Sequence, residues 1–214
     1  MSRGEPFLDA IGERAASALA FEQTTRRWPA GSVLFHEGDR ADRVFVLREG
    51  RVKLVATEAN GVETVLAVRQ PGDVVGELAA IDGHHRSASA VALTAVTASV
   101  VTADRFRSVL EQEPAAAMAM LQVLAARLRE AELRRAEHGA LDTLQRLARR
   151  LVELAHDGTV AGLNQDDLAA LIGASRESVA KALQTLRAAG LVRTGRRSVE
   201  VLDIDGLRRR GGLV

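Results

Sequence analysis

PAAAMAMLQVLAARLREAELRRAEH, Pro114 to His138, is the stretch from which the rest of the chain takes its order. Its periodicity predicts a single long helix. Pro114 suits a first helical turn, where its missing N–H leaves no bond unmade. Glu111 and Glu113 flank that start and arginines gather toward the far end, as the helix dipole favours. Leu121, Leu124, Leu128 and Ala131 recur at spacings of three and four and share a face, with Ala117 and Met120 extending the apolar surface toward the start. Arg127, Arg129, Glu130, Arg134 and Glu137 lie opposite. Gly139 is expected to break the helix and Asp142 to cap the next one. Some 25 residues of helix span about 37 Å, more than a small domain needs. Two readings follow: a core helix packed on its own domain, or a dimer seam (Ala117, Leu121, Leu124, Leu128, Ala131) that also joins two domains. The flanking sequence decides between them.

Composition bounds the choice. A chain of 214 residues with 47% hydrophobic content can bury one large or two small cores, but with 3% aromatics Leu, Val, Ala and Ile must fill them. From Asp142 onward there are 12 basic and 9 acidic residues, a net of +3, against −2 for the rest, so the C-terminal part is the better partner for a polyanion. Without cysteine there is no disulfide, thiolate metal site or cysteine-ligated iron–sulfur cluster. With no signal peptide and no long apolar run, the expectation is a cytoplasmic protein that does not engage membranes.

Before the long helix the texture is of short β-prone runs punctuated by glycine. Val33–His36, Arg43–Leu47, Val52–Val55, Glu63–Val68, Ser87–Leu93 and Val96–Val101 read as strands, with Ala59-Asn60-Gly61 as one turn. They predict a small antiparallel sandwich or roll. Residues 1–28 read as helical in places, around Phe7, Ile11 and Leu19, and Asp104 is expected to cap a short helix over Arg105–Glu111. One segment breaks the rhythm. After Gly76, Glu77 and Leu78 open a helical turn with free backbone N–H groups, and Arg86 and Ser87 follow at a strand start. N–H groups, an arginine and a hydroxyl that converge would hold an anion such as a phosphate, and Glu77 could accept from a sugar hydroxyl.

Gly76-Glu77-Leu78 followed by Arg86-Ser87-Ala88 closely resembles the phosphate-binding cassette of the cyclic-AMP receptor protein (Crp/Fnr) superfamily of bacterial transcription regulators. The resemblance runs from about Pro29 to Val201. It implies an α+β protein: a jelly-roll-like β-roll sensor domain (residues 1–113), a dimerisation helix (114–138) and a winged helix-turn-helix (139–214). It further implies that Arg86, Ser87 and backbone N–H groups hold a cyclic phosphate, that Glu77 binds the ribose 2′-hydroxyl and that Arg127 joins Glu77 to the helix. Counted without gaps, the family's purine-reading hydroxyl residues fall on Ala131 and Glu132, neither of which carries a hydroxyl. Cyclic AMP is the first effector this implies and cyclic GMP the second, because the Glu132 carboxylate matches two guanine donors.

Beyond the helix, Leu141–His156 reads as a second helix ended by Asp157-Gly158. Asn164 caps Gln165–Ile172, Gly173-Ala174 turns, and Ser175 caps Arg176–Ala189, with Leu168, Ile172, Val179, Leu183 and Leu186 as a small core. Arg193–Arg197 reads as a turn before a strand at Val199–Leu202. A helical hairpin without DNA-binding function is the bland alternative. Against it, Arg176, Glu177, Ser178 and Lys181 project from the first turn of the second helix, where a recognition helix meets base edges. Ser175-Arg176-Glu177-Ser178-Val179 also resembles the family's recognition helix, with Lys181 where arginine is usual. Arg193, Arg196 and Arg197 would contact phosphates from the wing, while Arg208–Arg210 reads as a solvated tail.

His84 and His85, as neighbours on a strand, would point to opposite faces and not chelate together, so neither metal nor haem is expected. The sequence therefore predicts a homodimeric, non-enzymatic regulator of double-stranded DNA bearing a two-fold symmetric site, controlled by cyclic AMP or cyclic GMP, with RNA polymerase as a further partner. The alternatives are a regulator of the same fold that needs no cyclic nucleotide or answers another effector, and a cupin-like metalloenzyme with a DNA-binding appendage.

Overall fold

The computed structural model describes residues 7–20, 24–57 and 61–213. Ala59 and Asn60 of the expected turn, and residues 1–6, lie outside them. Two compact units emerge, Met1–Gly61 with Ala67–Ala131 and Val62–Leu66 with Glu132–Val214.

The chain begins with α1 (Phe7–Ala10) and α2 (Gly12–Ala20), followed by β1 (Thr24–Trp28), β2 (Val33–Phe35), β3 (Arg43–Glu49), β4 (Val52–Thr57), β5 (Glu63–Arg69), β6 (Val74–Val75), α3 (Glu77–Asp82), β7 (Ser89–Ala92) and β8 (Val96–Thr102). Two antiparallel sheets result, in the orders β1-β8-β3-β6 and β2-β7-β4-β5. Between them lie Phe45, Leu47, Val52, Val75, Ala90, Ala98 and Val100, with Trp28 and Phe35 against their edge. The run Arg43–Glu49 is apolar on both faces because both are covered. Phe45 and Leu47 point into the roll, while Val44 joins Phe7, Ile11, Val101 and Phe106 in a helical layer behind it.

That layer includes α4 (Ala103–Gln112) and the start of α5 (Pro114–Ala140). The cap of α4 is Thr102, which accepts from the Arg105 N–H, and not Asp104. The expected break at Gly139 does not occur, and α5 runs on to Ala140. Ala116, Ala119 and Met120 are buried against the roll. Leu124, expected in the exposed seam, is half-buried against the same cluster, whereas Leu121 (59% exposed), Leu128 (61%) and Met118 (56%) face outward. Of the stripe read in the sequence, Leu121, Leu128 and Ala131 are exposed, while Ala117 and Leu124 are half-buried.

The second unit holds α6 (Thr143–Leu154), β9 (Thr159–Ala161), α7 (Gln165–Ile172), α8 (Arg176–Ala188), β10 (Val192–Gly195), β11 (Ser198–Val201) and α9 (Ile204–Arg210). Helix α6 starts at Thr143, two residues later than expected, because Asp142 and Gln145 close a capping box. It ends at Leu154, so Asp157-Gly158 is a turn before β9, a strand not expected from the sequence. Arg193 lies within β10, leaving Arg196-Arg197 as the wing turn. Strands β10, β11 and β9 form one antiparallel sheet. The Arg208–Arg210 tail is the last turn of α9, anchored by buried Leu207 and capped by Asp203.

Candidate effector site and nucleic-acid interface

The roll positions its cassette through one glycine. Gly76, between β6 and α3, has φ +83°, and a Cβ there would lie 2.4 Å from Arg86 Nη1. Only glycine lets the chain turn this tightly around that guanidinium. Arg86 is 4% exposed. Its Nη1 donates to the Gly76 carbonyl at 2.6 Å, its Nη2 donates to the Arg43 carbonyl, and its plane lies 4.3 Å above the Phe35 ring. Nε is buried with no hydrogen-bond partner among the described residues. Burial lowers the Arg86 pKa, with Asp42, Glu77 and Asp39 opposing. Arg86 also lines a cavity of about 180 Å³ with Trp28, Phe35, Asp42 and Arg43.

Glu77 is buried, and Arg127 reaches it from α5, Nη1 to Oε1 at 2.5 Å, while Nη2 donates to the Val74 carbonyl at 2.8 Å. The structure therefore brings Gly76, Glu77, Arg86 and Arg127 together. Leu78 and Ser87 are exposed beside them, and Ala131 and Glu132 are exposed on α5. Arg86, Ser87, His84 and His85 precede β7 and are not on a strand. Among the described residues, no three His, Cys, Asp or Glu side chains cluster to hold a metal ion.

One buried cation near the Glu77–Arg127 pair was not singled out in the sequence, Arg69. It is 9% exposed at the end of β5, and its nearest carboxylate is Glu130 on α5, Nη1 to Oε2 at 3.8 Å. The signal was present: Val65, Ala67 and Arg69 alternate on the buried face of β5. A cation at the third position of such a face calls for a reason.

In the second unit, Gly173 turns α7 into α8 with φ +59°, and a Cβ there would strike the His138 ring at 2.0 Å from Nε2. Ser175 caps α8 by accepting from the Ser178 N–H at 3.1 Å, which fixes where the helix starts. Arg176, Glu177 and Lys181 are exposed there. Lys181 pairs with Glu177 at 2.9 Å, and Arg176 Nε lies 3.7 Å from Asp166. Of the wing residues, Arg193 pairs with Glu200 at 3.0 Å, Arg197 (φ +52°) donates twice to the Gly162 carbonyl, and Arg196 is exposed.

A cyclic nucleotide-binding domain model matches residues 25–113, and a Crp-like helix-turn-helix domain model matches residues 145–210. The CRP-like cAMP-activated global transcriptional regulator of Mycobacterium tuberculosis is 34% identical over 205 residues, 92% of each chain. The chain belongs to this family of CRP-like transcription regulators. The cyclic AMP receptor protein of Thermus thermophilus is 32% identical over 204 residues, 94% of each chain. Among solved structures, FixK2 from Bradyrhizobium japonicum matches at a TM-score of 0.78 over 88% of this chain and 96% of that one; at 22% identity the likeness is of fold. As a CRP-like regulator the chain carries a DNA-binding helix-turn-helix domain and is not an enzyme. None of the helices among the described residues is long and apolar enough to cross a membrane.

Proposed function

We propose that this CRP-like regulator is a homodimer whose roll takes a 3′,5′-cyclic nucleotide, cyclic AMP first and cyclic GMP second, and whose two α8 helices read a two-fold symmetric DNA site. One observation carries the effector half: Arg86 is a buried cation whose Nε has no partner, beside the buried Glu77–Arg127 pair. A buried donor without an acceptor is rare and expensive, and a cyclic phosphate supplies the acceptor. Ser87 and the cassette N–H groups complete the phosphate cradle, Leu78 forms its rim, and Glu77 accepts from the ribose 2′-hydroxyl. Two relatives are named for cyclic AMP, which supports the ranking.

Arg127 stands on α5, so a ligand that engages Glu77 acts on that helix and shifts the population toward one arrangement of the dimer. The exposed Met118, Leu121 and Leu128 face meets its own copy in a second chain. Arg176 reads guanine, Glu177 reads cytosine, and Arg196 meets phosphate. RNA polymerase is the further partner of a regulator that activates. A second reading, DNA binding without nucleotide, is favoured by the internal pairing of both Arg86 Nη groups and the lack of hydroxyls at Ala131 and Glu132.

Calorimetric titration with cyclic nucleotides tests the proposal. Wild type is expected to bind cyclic AMP, and Arg86→Ala to lose at least about a hundredfold in affinity, since a buried charge loses its partner. Wild type that binds neither nucleotide at millimolar concentration while binding DNA tightly selects the second reading.

A further inference from the structure

The second unit holds a cluster of buried charges that contact with DNA does not use. Glu137, in the last turn of α5, is 12% exposed; Arg149 and Arg150, neighbours on α6, are 20% and 4% exposed. The two arginines divide the carboxylate between them. Arg149 Nη1 donates to Oε1 at 2.9 Å, and Arg150 Nη2 donates to Oε2. Arg150 also pairs with Glu153 through Nη1, so two acids balance two bases. Charges this far from water are held by each other, and withdrawing one leaves its partners stranded.

Arg149 has further partners. Its Nε donates to the Gly211 carbonyl at 2.6 Å and its Nη2 to the Gly212 carbonyl at 3.2 Å. These carbonyls lie just past the end of α9, where a helix leaves acceptors unused. The fit is close: a Cβ at Gly211 would lie 3.0 Å from Arg149 Cγ. One guanidinium thus joins the end of α5, α6 and the C-terminal tail. The two residues between the helices are pinned as well. Arg146 Nη1 donates to the Leu141 carbonyl at 2.8 Å, and Asp142 closes its capping box with Gln145. Gly139, expected to end α5, lies inside it.

We infer that Glu137 and Arg149 are positioning residues for DNA: they make the joint between α5 and α6 a fixed elbow, which sets the half-site spacing that the dimer accepts. The inference rests on the homodimer reading, in which α5 of each chain meets its copy. The direction in which α6 leaves α5 then decides where each α8 arrives. One base pair of extra spacing moves a half-site by about 3.4 Å and turns it by about 35° around the duplex. A loosened elbow follows that shift and a fixed one does not. Apolar contacts alone would also hold α6 to α5, but a carboxylate shared by two arginines in addition fixes the angle between them.

Binding of the full chain to three kinds of duplex tests it: one half-site, two at the preferred spacing, and two with one base pair added or removed. The state used, with or without cyclic AMP, is the one that binds DNA more tightly. Wild type is expected to bind the preferred pair at least about a hundredfold tighter than one half-site, and to lose about tenfold or more at the altered spacings. Glu137→Gln sets an amide NH₂ against one of the two arginines and breaks the shared clamp. Arg150 keeps Glu153 and Arg149 keeps the tail carbonyls, so the winged helix retains its own contacts. This variant is expected to hold one half-site as wild type does, to lose about tenfold of the gain from the second, and to bind all three spacings within about threefold. A purely structural Glu137 would instead weaken one and two half-sites alike; that result, or unchanged ratios, overturns the inference. Arg149→Lys keeps a charge for Glu137 but lacks the fork that also reaches Gly211 and Gly212. It is expected to narrow the same ratios, and it decides the question should Glu137→Gln fail to fold. Wild type with no preference for two half-sites over one overturns the homodimer reading itself.

Discussion

The charged residues of the effector site and those of the recognition helix are built on opposite principles. In the roll, Glu77, Arg86 and Arg69 are buried, half-buried Arg127 reaches Glu77 from α5, and each is satisfied or left wanting by a few fixed neighbours. On α8, Arg176, Glu177 and Lys181 stand in water with exposed, weak partners, which the proposed DNA contacts would replace. Removing a buried partner strands a charge whether or not ligand is present, whereas removing an exposed one matters only when the macromolecule arrives. The first set is part of the fold as well as of the proposed effector site; the second belongs to the proposed DNA interface alone.

Breaking the buried pair is the largest effect this contrast implies. Arg127→Met strands the Glu77 carboxylate, 6% exposed, and is expected to destabilise the first unit by about 3–5 kcal/mol in urea unfolding. A loss below about 1 kcal/mol would show that Glu77 is better hydrated than its burial implies. Next comes Arg176→Ala. It should leave the melting temperature within error but lose about 1–3 kcal/mol on the preferred DNA site and relax one guanine position in a binding selection. Unchanged sequence preference would relocate base reading to another residue. Arg196→Ala is the smaller counterpart: affinity falls alike on all sequences and the salt dependence shallows by about one unit.

The exposed face of α5 sharpens the comparison from a third direction. Leu128→Glu places a charge on a residue that is 61% exposed in the single chain, so the folded protomer should be unaffected while the dimer dissociates in sedimentation experiments. Leu124→Glu, half-buried against the roll, should lower stability as well.

Legibility followed the same divide. The helix-turn-helix core could be read residue by residue because its signals are local: Asn164 and Ser175 as caps, Gly173 as the turn, and an apolar set that is buried in the structure. The cassette was legible as a motif, and Gly76, Glu77, Arg86 and Arg127 do converge. Three features were not legible, each for a tertiary reason. β1 contains Thr24, Thr25, Arg26 and Arg27, all exposed, so it shows no apolar alternation and is a strand through its five-residue pairing with β8. Thr102 and Asp104 are both good caps; the pairing of β8 with β3, which extends to Thr102, decides between them. That Leu124 lies partly against the roll while Leu121 and Leu128 face outward depends on which side of α5 the roll covers, and no local spacing encodes that. Arg69 is different: as a buried cation it was readable from its alternation with Val65 and Ala67.

The most direct test of the central claim is the affinity of the full chain for its preferred DNA with and without saturating cyclic AMP. Coupling between the two sites is expected to tighten DNA binding about 5–150-fold, to tighten cyclic AMP by the same factor when DNA is bound, and to vanish in Arg86→Ala. DNA affinity that is tight and indifferent to cyclic AMP in both proteins would contradict it.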